Sequence, residues 1–196
     1  MGANKRLSSQ VGLYRVSMQS GLLTTIAAGT ATAGHVFCFR WTSATLSAVV
    51  QRIKLRWQTT VPFTTAQELA FRVFRLTGYT AAHTTGTAAT LTAPNLKKAT
   101  RLAASAVNDI RIGTAAALTA GTHTLDAQEI GGLNAFSQAT AVADCTAVEA
   151  VIECSSQLNY VLELTTNEGF IVRNEIVQGV VGVGRLLVEV DWAESA

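Results

Sequence analysis

The stretch AVVQRIKLRWQTT, Ala48–Thr60, alternates between apolar and charged residues. Successive side chains of an extended chain point to opposite faces. Val49, Gln51, Ile53, Leu55 and Trp57 therefore fall on one side, with Val50, Arg52, Lys54 and Arg56 on the other. A helix would scatter both sets around its circumference, so the stretch reads as a half-buried strand with a basic outer face.

The same reading extends outward. GRLLVEVDW, Gly184–Trp192, sets Leu186, Val188, Val190 and Trp192 against Leu187, Glu189 and Asp191, a strand with an acidic face. In ELAFRVFRL, Glu68–Leu76, Leu69, Phe71 and Val73 alternate with Ala70, Arg72 and Phe74. Neither face is purely polar, as in a strand covered on both sides. HVFCFRW from His35, HTLDAQEI from His123, NYVLELTT from Asn159 and GFIVRNEIV from Gly169 are further strand candidates, separated by turn-forming runs such as TNEG, Thr166–Gly169. Helix has two candidates, NLKKATRLAASAV after Pro94 and TAVEAVIE before Cys154, and the β-branched residues of the second argue equally for a strand. The pattern predicts an all-β fold: an antiparallel β-sandwich or jelly roll with long small-residue loops and at most one or two short helices.

With 196 residues the chain is long enough for one sizeable core. Charged residues make up 14% and apolar residues 48%, with a mean hydropathy of +0.28. The usual charged share is about a quarter, so the surface is either rich in Ala, Thr and Ser or covered by neighbouring subunits. The net charge of +2 hides an asymmetry. Residues 1–101 hold twelve Lys or Arg against one acid, Glu68, a net of +11; residues 102–196 hold three Arg against twelve acids, a net of −9. Either the two halves pair inside one fold, or the basic side of one copy meets the acidic side of the next. The strands above supply the candidate partner-interface residues: Arg52, Lys54 and Arg56 facing Glu189 and Asp191, within or between subunits.

Little in the sequence carries catalytic chemistry. Cys38, Cys145 and Cys154 have no CxxC spacing, and His35, His83 and His123 are far apart, so no local zinc pattern exists. Cys38 reads as a buried, inert thiol, a Cys145–Cys154 disulfide is open, and a reducing compartment is the default. GVVGVGR, Gly179–Arg185, has the wrong glycine order for a dinucleotide loop and precedes a strand. RIKLRW and FRVFR interleave cations with aromatics, but alternation sets Trp57 opposite Arg56 and Phe71 opposite Arg72, and only Phe74 shares a face with Arg72. Core aromatics with surface cations are the expected outcome, with no direct nucleic-acid contact. No catalytic, cofactor or metal residue is assigned, and the protein is not expected to be an enzyme. Ser17, Gln19, Ser20 and Gly21 interrupt the early apolar stretch, which argues against a secretory leader. No apolar run reaches the roughly 18 residues of a membrane helix.

Two near-copies, GTAATLTA at Gly86–Ala93 and GTAAALTA at Gly113–Ala120, contain no charge and no aromatic group. They are too short to nucleate a helix and too few for a solenoid. They read as loops or edge segments that pack closely against another backbone, their own or a neighbour's.

The phrases NEGFIVRNEIVQGVVGVGRLLVEVDW, GYTAAHTTGTAATLT and NDIRIGTAAALTAGTHTLDA resemble small virion structural proteins encoded in the head and tail gene clusters of tailed bacteriophages. The resemblance spans roughly Ala44 to Trp192. It implies a cement or decoration protein on the phage head exterior, assembled in the host cytoplasm, that binds the major capsid protein and its own copies as a homo-oligomer, a trimer being favoured. Residues 1–34 would then be an N-terminal arm or extension and 35–196 a single sandwich domain. The alternatives are another virion component (tail, connector or fibre adaptor) and a sugar- or surface-binding sandwich. The last requires exposed aromatics, and Trp41, Trp57 and Trp192 all lie in strand-like runs where burial is expected.

Overall fold

The computed structural model describes residues 10–24, 34–91, 104–107, 109–119, 121–137, 147–154, 161–178 and 182–195. Among them there is no helix; the chain is all-β, two antiparallel sheets packed against each other as a sandwich. The strands are β1 (Gln10–Gln19), β2 (His35–Trp41), β3 (Ser47–Val61), β4 (Gln67–Ala81), β5 (Thr87–Ala88), β6 (Asp109–Ile112), β7 (Thr122–Ser137), β8 (Ala147–Glu153), β9 (Leu162–Leu164), β10 (Glu168–Asn174) and β11 (Val183–Ser195). One sheet has the order β1-β11-β3-β8, with β9 also pairing β3; the other has the order β5-β6-β2-β10-β4-β7.

Alternation builds the core. Ile53, Leu55 and Trp57 of β3 and Leu186, Val188, Val190 and Trp192 of β11 are buried and meet Phe37, Phe39, Phe71, Val73 and Phe170 of the opposite sheet. Aromatic pairs join the two layers: Trp57 and Phe71 lie 5.1 Å apart between ring centroids, and Phe39 and Trp192 5.3 Å apart. Burying each such side chain contributes roughly 1.5–3 kcal/mol, so this interlayer seam is the main stabilising feature. All three tryptophans are inside it.

Two bulges change the phase of the alternation. Asp191 of β11 stands opposite Arg52, but the next residue, Trp192, stands opposite Val50. Gln51 is thus an extra residue in β3, and Val50 turns into the core instead of sharing the basic face, while Val49 is only half-buried. In β2, Phe37 pairs Val172 and His35 pairs Arg173, which leaves Val36 as the extra residue. Val36 and Phe37 both enter the main core, so His35 is displaced to the outer face of the second sheet. That outer face has a small core of its own, formed by Cys38, Phe74, Leu76, Tyr79, Leu118 and Ile171. β4 is therefore covered on both faces, as its sequence predicts.

One expectation is corrected, and one segment read equally as helix or strand is placed. The boundary at residue 34 does not separate an arm from the sandwich. β1 pairs with β11 along Gln10–Gln19, Tyr14 stacks on Trp192 at 5.6 Å, and Leu23 is buried in the main core. TAVEAVIE is strand, its residues 147–153 forming β8 at the edge of the first sheet, where β-branched side chains outweigh helix propensity. Most of NLKKATRLAASAV lies outside the described residues, and its end, 104–107, is not helical.

The small-residue repeats pack on each other. β5, within the first copy, pairs with β6, which leads into the second, and a bridge joins Thr84 to Thr119. Gly86 has φ +65°, and a Cβ placed there would lie 2.4 Å from the Ile112 carbonyl oxygen and 2.4 Å from Leu118 Cδ2. Only glycine fits that backbone and that space. The close contact is with the chain's own backbone.

Candidate functional site

The paired repeats bring three distant histidines together. His83 lies just before the first copy, His123 just after the second, and His35 at the start of β2. Thr84 N donates to Thr119 O at 3.0 Å and Thr119 N to Thr84 O at 3.3 Å, while Ala81 stands opposite Thr122. The second copy also crosses the start of β2, with Leu118 N donating to His35 O and Gly113 N to Val36 O, both at 2.8 Å. The bulge at Val36 supplies the last requirement by turning His35 outward toward this ladder.

His35 and His83 are fully buried, and His123 is half-buried. Their ring centroids are 5.1–5.6 Å apart, and one potential ligand atom from each lies within 4.8 Å of the others. His35 Nδ1 and His83 Nε2 share a hydrogen bond of 2.9 Å. His83 Nδ1 is hydrogen-bonded to the Tyr79 hydroxyl, which in turn meets the Cys38 thiol. His35 Nε2 and His123 Nδ1 are buried without a hydrogen-bond partner. A buried polar atom left in that state costs on the order of 1–3 kcal/mol.

Burial sets the protonation states. It lowers the His35 imidazole to about 4 and His83 to about 3, with mutual repulsion and Arg173 or Arg111 adding to the effect, and it also lowers His123. It pushes the Cys38 thiol up to about 12 and raises the Tyr79 phenol. At neutral pH the group is three neutral imidazoles, a phenol and a thiol. Such a set offers nitrogen lone pairs to a cation and holds no activated nucleophile. Cys38 is the inert buried thiol its sequence context predicts. Cys154 is likewise buried and free, its thiol pushed up to about 11 by burial; Cys145 lies outside the described residues.

The five residues singled out from charge patterning form a different group, on the outer face of the first sheet. Register places Lys54 opposite Glu189 and Arg52 opposite Asp191. Asp191 is buried and takes Arg52 Nη2 at 2.8 Å and, from β1, Arg15 Nε at 2.8 Å and Nη2 at 3.0 Å. Lys54 reaches Glu149 on β8 at 2.9 Å, and Arg56 stands opposite that same glutamate. With Arg72–Glu129 and Arg75–Glu168, these bridges join bases of the first half to acids of the second. The charge asymmetry of the sequence is thus neutralised inside one chain, to the extent of these pairs. A shallow cleft of about 400 Å³ beside β1 and β5 is lined by Met18, Gln19, Thr87 and Arg15, whose guanidinium is held by Asp191.

Sequence spacing could not reveal the histidine group, because its members are joined by a bulge and a loop-to-loop ladder. The one available signal was position: His83 and His123 flank the two copies of the repeat. Compared with known proteins, the chain matches no family model, no curated protein and no solved structure.

Proposed function

We propose that the chain is a structural component of a tailed-phage particle, a cement or decoration protein that binds the major capsid protein and its own copies on the exterior of the head. The likeness of its C-terminal phrases to virion proteins supports this reading, as does the sandwich architecture.

The observation that carries it is the rim of the sandwich. β7 and β8 are edge strands of the two sheets among the described residues, and they approach each other where Gly131 meets Ile152. Phe136 on β7 is 66% exposed and Val151 on β8 is 46% exposed. A 16-residue strand at the sheet edge among the described residues, with a protruding phenylalanine, suits pairing with another chain. Because Arg15, Arg52, Lys54, Arg72 and Arg75 are paired within the chain, apolar contact and backbone pairing supply the attraction at this rim.

Co-sedimentation tests the proposal. Heads stripped of the protein should bind it saturably, at a fixed ratio to the major capsid protein, and gain resistance to heat or chelation. Failure to bind intact heads under conditions where the protein is folded would overturn it.

A further inference from the structure

We propose that His35, His83 and His123 form a centre for one divalent first-row transition-metal ion, zinc in the first instance. Three observations support it independently of the particle reading.

The first is the donor set. Imidazole nitrogen suits zinc and its neighbours, whereas calcium and magnesium demand oxygen ligands, and the three grouped donors include no carboxylate. Around a tetrahedral ion with Zn–N of about 2.0–2.1 Å, adjacent nitrogens sit roughly 3.3 Å apart. The three donor atoms here lie within 4.8 Å of one another, so they draw in by up to about 1.5 Å to reach that spacing.

The second is the pair of buried nitrogens without partners, His35 Nε2 and His123 Nδ1. His35 is fully buried, and its ring lies 5.6 Å from that of His123. A buried ring with an unmatched nitrogen, facing two other imidazoles, is a cost that a bound cation relieves.

The third is the outer support. The Tyr79 hydroxyl engages His83 Nδ1 and leaves Nε2 on the side of His35, as a second partner orients a ligating histidine in metal sites. Arg40 fixes the tyrosine's backbone in turn, donating from Nε to Tyr79 O at 2.9 Å and from Nη2 to Thr80 O at 2.7 Å. The half-buried His123 marks the side open to solvent, where water completes the coordination. An ion here ties together β2, the turn after β4 and the start of β7.

The test uses untagged, chelator-treated protein titrated with Co²⁺ and Zn²⁺. About one equivalent of Co²⁺ should give the intense visible bands of a four-coordinate site with three imidazole ligands, and Zn²⁺ should displace it. At a hundredfold excess over Kd, Zn²⁺ should raise Tm by about 5–10 °C. His123→Gln, at a half-exposed position, should abolish the bands and the shift while the metal-free Tm stays close to that of the parent; His83→Gln should do the same if it folds. Absence of stoichiometric binding by folded protein, or binding unchanged in His123→Gln, would overturn the proposal.

Discussion

His35 Nδ1 lies 2.9 Å from His83 Nε2 in the interior, although 48 positions separate the two residues. Burial holds these imidazoles at about 4 and about 3 in the folded chain. An unfolded histidine titrates near 6.5. Below that pH the unfolded chain takes up protons that the folded chain refuses, so stability is full above about pH 6.5 and falls as pH drops toward the folded values. Each histidine adds a slope of up to about 1.4 kcal/mol per pH unit. Urea midpoints of the chelator-treated protein should decline between about pH 6.5 and 5, where most carboxylates are still ionised. A flat midpoint across that window would show that the rings are not buried as described.

Asp191 is the buried acid between two arginines, Arg15 on β1 and Arg52 on β3. Asp191→Asn removes the charge that both guanidinium groups share, and should cost about 1–3 kcal/mol. Lys54→Gln breaks a more exposed pair with Glu149 and should cost less than about 1 kcal/mol, with a loss that shrinks in salt. Chemical denaturation of both variants checks the order, and a larger loss for Lys54→Gln would contradict it.

Gly78 and Gly86 separate backbone strain from packing. Both have positive φ, but a Cβ on Gly78 meets only Thr124 Oγ1 at 3.8 Å, whereas one on Gly86 strikes the Ile112 carbonyl at 2.4 Å. Gly78→Ala should cost about 1–2 kcal/mol from the left-handed conformation alone. Gly86→Ala should cost that and a further 1–3 kcal/mol or so for overpacking. It should also loosen the ladder between the repeats and weaken Co²⁺ binding. Equal losses would mean that the copies do not pack on each other in solution.

Much of this fold is written in alternation. From Arg52 to Trp57 and from Leu186 to Trp192, apolar and charged residues take the faces that their spacing predicts. The pattern loses phase where one strand gains a residue. Val50 and His35 sit beside such bulges, and a period of two assigns both to the wrong face. The sequence also signals that basic and acidic halves are complementary, without saying whether they meet within a chain. Strand order decides that, because β11 lies between β1 and β3 and carries Asp191 to both. The histidine group depends on long-range topology in the same way, which is why residue spacing conceals it.

Phe136 is exposed at the rim of β7, so Phe136→Glu should leave Tm nearly unchanged. Self-association in sedimentation velocity should weaken at least tenfold if that rim is where copies meet. A variant that assembles like the parent would move the contact elsewhere on the surface.

The most direct measurement is the copy number of this chain relative to the major capsid protein in purified particles, by quantitative mass spectrometry. A ratio near one, or a fixed simple fraction of one, is the result predicted for a protein that covers the head lattice. A handful of copies per particle, or none, would contradict that account.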